Sequence, residues 1–202
     1  MLSLYLHPHD NVDSLKSLLQ DLTHGDEVRA ERAVTELAAS GEAAIPALLE
    51  LANSPDSDSR WWALRTLAQS PHLRTEWLIP FLNDSSPEVR QCAALGLAIK
   101  PDESAIQSLV RALSDADAMV CKLAVQALIK IGKAAAPSLI EAVKTAPQSA
   151  RIHAMRALAE IRDHRAIPVM MQVMEEDSVL LQYWAKEGLE KLGLDMVYMK
   201  PV

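Results

Sequence analysis

The chain has 202 residues and a net charge of -7; half of it is hydrophobic and only 4% is aromatic. A nucleic-acid binder carries a basic field, so this balance argues against nucleic acid as a partner. Its two cysteines, Cys92 and Cys121, exclude a disulfide framework and a paired-cysteine zinc site, and suit a reducing compartment. The opening MLSLYLHPHDNVD has no basic n-region followed by a long apolar run. No stretch holds the ~18 uninterrupted apolar residues of a membrane span, so a cytoplasmic protein with no membrane contact is expected.

One step recurs through the chain. An alanine followed four residues later by a leucine appears at Ala33/Leu37, Ala63/Leu67, Ala93/Leu97, Ala124/Leu128, Ala154/Leu158 and Ala185/Leu189. Residues four apart share one helical face. Both series advance by 30, 30, 31, 30 and 31 residues, and self-similarity at such a period marks a repeat protein. Each repeat buries its apolar face against its neighbours, so the chain reads as one elongated unit.

Taken in order, residues 1–11 are a lead-in, expected to cap the first repeat, with Pro8 interrupting it. His7, His9 and Asp10 could ligate a metal, but nothing completes such a site and none is predicted. Repeat one spans 12–41. Val12, Leu15, Leu18, Leu19 and Leu22 line its first helix, Asp26 can cap the second, and Gly41 can end it. Repeat two spans 43–71, with Pro46 in the first turn of its first helix, a capping turn at 54–59 and a stop at Pro71. Repeat three spans 75–101, with Pro80 early and Pro101 as the stop. Repeats four (103–132), five (134–162, with Pro137) and six (164–193, with Pro168) follow the same plan. Residues 194–202 are expected to fold back as a second cap. Twelve helices in six antiparallel pairs are predicted.

LNDSSPEVRQCAALGLA (82–98) and LSDADAMVCKLAVQALIKIG (113–132) resemble the HEAT repeat, and more closely its short phycobilisome-lyase type. The resemblance covers roughly 12–193. It implies an all-α solenoid, a right-handed superhelix of six two-helix repeats forming one domain over 1–202. It further implies that Arg60, Arg90 and Arg151, at one equivalent position, pair with acidic residues such as Asp58, Asp84 and Asp115 in adjacent repeats. Cys121 stands where the fourth arginine would be, so that ladder should break there.

The resemblance also places the second helices on the concave face. Two outward rows follow: Trp61, Gln91, Lys122, Ile152, Tyr183, and Val34, Leu64, Ala94, Val125, Met155, Lys186. An apolar centre flanked by Arg60, Arg65, Arg90, Arg151 and Arg156 suits a protein or peptide partner, an acidic one best. The aliphatic members could equally pack between helices. Trp61 favours the groove, because Trp62 points about 100° away toward the core.

Enzyme readings find little. Deoxyhypusine hydroxylase has similar repeats and uses paired His-Glu dipeptides, of which there are none here. HEAT-like DNA glycosylases use tryptophans, arginine and an aspartate, and Trp61 lacks an outward aspartate on its helix. A bilin-lyase subunit binding a tetrapyrrole is the alternative the resemblance allows, although no residue specifies it. There is no phosphate-binding glycine loop and no nucleophile elbow. His153 and Cys92 face the core. The expected function is a non-catalytic protein- or peptide-binding scaffold with no cofactor.

Overall fold

The computed structural model describes residues 8–176 and 178–194, with side chains from residue 14 onward. Among the described residues there are eleven α-helices and no strand. They are α1 (Pro8–Thr23), α2 (Glu27–Ala39), α3 (Ile45–Leu51), α4 (Ser57–Gln69), α5 (Pro87–Ile99), α6 (Ile106–Ala112), α7 (Ala118–Ile131), α8 (Ala136–Thr145), α9 (Gln148–Ile161), α10 (Ile167–Val173) and α11 (Val179–Lys191). The chain is an α-solenoid of stacked two-helix units. The second helices α2, α4, α5, α7, α9 and α11 pack on one another in sequence, and more extensively than the first helices do. They form the inner, closer layer.

That layer is built on the alanine–leucine step. All twelve of its residues are at most 1% exposed. Three residues past each of these alanines, the chain carries Thr66, Gly96, Ala127, Ala157 and Gly188 in repeats two to six, all buried. A Cβ on Gly96 would lie 2.5 Å from Leu78 Cδ1, and one on Gly188 would lie 2.5 Å from Met170 Cε. Small residues in this row let the helices of a repeat close on each other.

The helix ends follow the same period. Asp26, Asp56, Ser86 and Asp117 cap α2, α4, α5 and α7, each accepting a backbone N–H of the first turn. The stops lie eight residues past each central alanine: Gly41, Pro71, Pro101, Gly132, Arg162 and Gly193. The three glycines have φ of 68°, 79° and 82°, and Arg162 takes the same left-handed region at φ 56°. By composition the run 118–145 could cross a membrane. Gly132 splits it into α7 and α8, and neither approaches the ~20 residues a span needs.

Three expectations are corrected. Repeat three has no first α-helix: short 3-10 turns at Thr75–Trp77 and Ile79–Asn83 replace it. Pro46, Pro137 and Pro168 stand eight residues before Ser54, Thr145 and Glu176, but Pro80 stands only four before the equivalent Asp84. The proline ring would therefore fall in mid-helix, where it removes a hydrogen bond and clashes with the preceding turn. The predicted twelve helices become eleven among the described residues. Pro8 opens α1 rather than interrupting a lead-in, so the first repeat begins before residue 12. Asp58 makes no rung, because it lies within the first turn of α4. The rest of the proposed N-terminal cap, the side chains of His7, His9 and Asp10, and the C-terminal cap from 195 onward lie outside the described residues.

Replacing Ala124 with leucine should overpack the inner layer and cost about 1–3 kcal/mol in chemical denaturation; unchanged stability would contradict this packing. Arg162→Gly should do the opposite. It relieves a left-handed backbone at an exposed site, for a gain of about 1 kcal/mol and a rise of roughly 2–4 °C in Tm.

Candidate functional site

The predicted second row is not a surface. Val34, Leu64, Ala94, Val125 and Met155 are at most 2% exposed, and only Lys186 reaches solvent. Leu64, Val125 and Met155 pack between adjacent second helices and are removed from the candidate site. The first row does reach the inner surface: Trp61, Gln91 and Ile152 are half-buried, and Lys122 and Tyr183 are exposed.

The arginines divide in the same way. Arg60 Nε and Nη2 donate to Asp84 Oδ2 and Oδ1 at 2.8 and 2.7 Å, while Nη1 donates to the carbonyls of Ser54 and Pro55. Arg90 repeats this with Asp115 at 2.8 and 2.9 Å and the carbonyls of Asp84 and Ser85. Arg151 reaches Glu176 at 2.6 and 2.7 Å and the Val143 carbonyl at 2.6 Å. Arg60 and Arg90 thus hold their own repeat's turn, Arg151 the last turn of α8, and each also holds the next repeat's acid. Burial alone would raise the Asp84 carboxyl; together the Arg60 guanidinium and the Ser86 N–H outweigh that and hold it low. The expected break is present: Cys121 Sγ faces the carbonyls of Leu113 and Asp115, with no acid to bridge.

Arg60, Arg90 and Arg151 are therefore structural rungs, not a basic lining. Arg65 is also neutralised, with Nη2 2.7 Å from Glu31 Oε1. Its guanidinium lies over Trp61 at 5.2 Å and near Trp62 at 5.9 Å, and the two indoles meet edge-on at 4.7 Å. Arg156 is exposed and stacks on Trp184 at 5.3 Å. With four of five arginines paired, the positive tint that favoured an acidic partner is gone.

What the inner face does present is an apolar groove of about 330 Å³ across α4, α5 and α7. Trp61 and Arg65 form one wall, Gln91, Leu95 and Ile99 the floor, and Met119 and Leu123 the other wall. Leu95, Ile99 and Met119 are 47%, 57% and 45% exposed. Gln91 Nε2 is held by Asp117 Oδ1 at 3.0 Å, which fixes the polar rim. Sequence reasoning missed these three apolar residues, although a signal existed. In Leu95's row the other repeats place Thr35, Arg65, Gln126, Arg156 and Glu187. Leu95 is the apolar residue in an otherwise polar row.

One thiol lies among the groove's lining residues. Cys92 lies at its floor, but burial pushes its thiol up to about 12, far from a reactive thiolate. Burial also lowers His153, with Arg156 adding to the shift, so the imidazole is neutral at pH 7. Among the described residues no three metal-binding side chains come together.

Residues 75–150 match the HEAT-repeat family, and 150–176 match the PBS lyase HEAT-like repeat. Residues 75–176 are therefore HEAT-like repeats, the last stretch of the PBS-lyase type. It is 28% identical over 176 residues to an uncharacterized phycocyanin operon protein Z from Pseudanabaena tenuis, covering 82% of this chain and 87% of that one. Its fold is similar to the CpcE–CpcF complex of phycocyanin lyase from Nostoc, at 24% identity and a TM-score of 0.56, over 72% of this chain and 98% of that one. It is also similar to an engineered protein, at 25% identity and a TM-score of 0.52, over 88% and 98% of the two chains. In its repeats the protein is related to phycobilisome lyase subunits.

Both cysteines should resist a thiol reagent in the native protein at mildly alkaline pH and react at once on unfolding. Fast native labelling of Cys92 would show the groove floor to be open.

Proposed function

We propose that this HEAT-repeat protein is a non-catalytic scaffold that docks another protein across the groove of α4, α5 and α7. The observation that carries the reading is the exposure of Leu95, Ile99 and Met119 around Trp61. Apolar, methionine and tryptophan side chains grouped beside a polar rim suit a desolvated protein contact. The paired state of Arg65 favours an apolar partner segment over an acidic one. The net charge of -7 and the ladder's use of Arg60, Arg90 and Arg151 disfavour DNA.

A second reading is favoured by the PBS-lyase repeats and the phycocyanin-operon relative. The same groove would then cradle an open-chain tetrapyrrole within a lyase-like subunit.

One variant tests both. Leu95→Asp with Met119→Asp alters exposed positions, so stability should stay within about 1 kcal/mol of wild type. A protein captured by the wild type from source cells, once identified, should bind the variant at least about tenfold more weakly. Equal affinity would move docking to another face. A visible absorption change on adding a bilin to the wild type but not the variant would favour the second reading; no change for either would retire it.

A further inference from the structure

We propose that the solenoid carries a built-in hinge at the seam between repeats four and five, where α7 meets α9. The ladder fails there on both sides. The arginine position holds Cys121, and the acid position, Asp84 and Asp115 in the preceding repeats and Glu176 in the last, holds Thr145. The turn is also rebuilt. In repeats two, four and six the first helix has seven residues and a five-residue turn follows, whereas α8 runs ten residues and only Ala146 and Pro147 separate it from α9. The segment that elsewhere presents the acid to the preceding repeat is here part of a helix.

Other polar links do not compensate. The first seam also lacks the rung, with Ala30 and Ser54 in its two positions, but the ion pair Arg65–Glu31 crosses it; the second has Arg60–Asp84. The third has Arg90–Asp115, Gln91–Asp117 and Lys130 Nζ donating to the Ala98 carbonyl at 2.7 Å. The last has Arg151–Glu176, Lys191–Glu160 at 2.6 Å, and Arg165 donating to the Lys133 carbonyl at 2.7 Å. Across the fourth seam, among the described residues, a single neutral bond remains: Gln107 Nε2 to Ser138 Oγ, exposed, at 2.9 Å. The inner helices also pack less extensively there than at the seams on either side, and only α2 with α4 at the first seam packs less. On the outer side, a shallow cavity of about 520 Å³ opens between α6 and α8, bordered by Arg111 and Thr145.

In a solenoid each repeat is held only by its neighbours, so a weak seam set between two tighter ones is where the stack bends and opens. The hinge divides the molecule into a plate of repeats one to four, which carries the whole groove, and a plate of repeats five and six, which carries Arg156, Tyr183 and Trp184. A partner touching both plates would set the angle between them.

Amide hydrogen exchange of the full chain in rising, sub-unfolding guanidinium chloride tests the hinge. Helices α8–α11 should open as one unit, separately from α4–α7. A single cooperative unit, or a boundary at another seam, overturns the proposal. Cys121→Arg with Thr145→Glu should restore a rung, since the Asp115 carbonyl already sits where Ser54 and Asp84 accept from Arg60 and Arg90. Seam amides should then exchange about tenfold more slowly, and unchanged exchange in the folded variant counts against the rung as the cause. Should that variant not fold, Arg90→Met supplies the converse: a new boundary between α5 and α7 is expected, and its absence overturns the role of the rungs.

Discussion

Successive second helices can pack closely only because a small residue stands at the centre of each. The alanine at that place is fully buried in every repeat, and the leucine one turn later fills the space beside it. The remaining architecture follows from this steric constraint. Close inner helices oblige the helix termini to stay in register, so the N-caps and the stops repeat with the same period. Where the segment before a second helix must press still closer, the chain uses glycine, as at Gly96 under Leu78 of the 3-10 segment and Gly188 under Met170 of α10. Apolar burial drives the stacking, while the alanine row fixes its distance.

Electrostatics then joins one repeat to the next. A partly buried arginine bridges its own turn and the following repeat's carboxylate, so one side chain satisfies open carbonyls and spans a seam. Such rungs add directional restraint to packing that is otherwise free to slide. Their use is uneven along the chain, and the unevenness, rather than the average, carries mechanical meaning. A residue change as small as arginine to cysteine at one place leaves the fold intact and loosens one joint.

The fold was largely legible in the sequence because its constraint is periodic: alanine, leucine, glycine and arginine recur in step, and Cys121 marked its own exception. Pro80 was misread because its distance to the acid turn, and not its mere recurrence, decides whether a helix can pass through it. The candidate site was legible only in part. A helical row specifies direction, but whether a side chain on it is covered depends on how far the next helix leans over, which no single repeat encodes. Leu64, Val125 and Met155 lie on the outward row of their helices and are nonetheless core. Arg60, Arg90 and Arg151 were taken for a charged lining, although their pairing was itself foreseeable. Trp61, Gln91, Lys122, Ile152 and Tyr183 do reach the inner surface.

The groove is the part of the molecule that folding does not explain. Leu95, Ile99 and Met119 leave about half of their apolar surface in water, and polar residues fill most of the equivalent positions in other repeats. Their exposure makes sense as a contact kept for a partner. The most direct measurement is photo-crosslinking in the source cells, with a benzophenone side chain placed at Leu95 and, separately, at Ser138 on the first-helix side. A discrete protein adduct from Leu95 and none from Ser138 is the expected result. Adducts from Ser138 alone, or none from either position, would contradict docking through the inner groove.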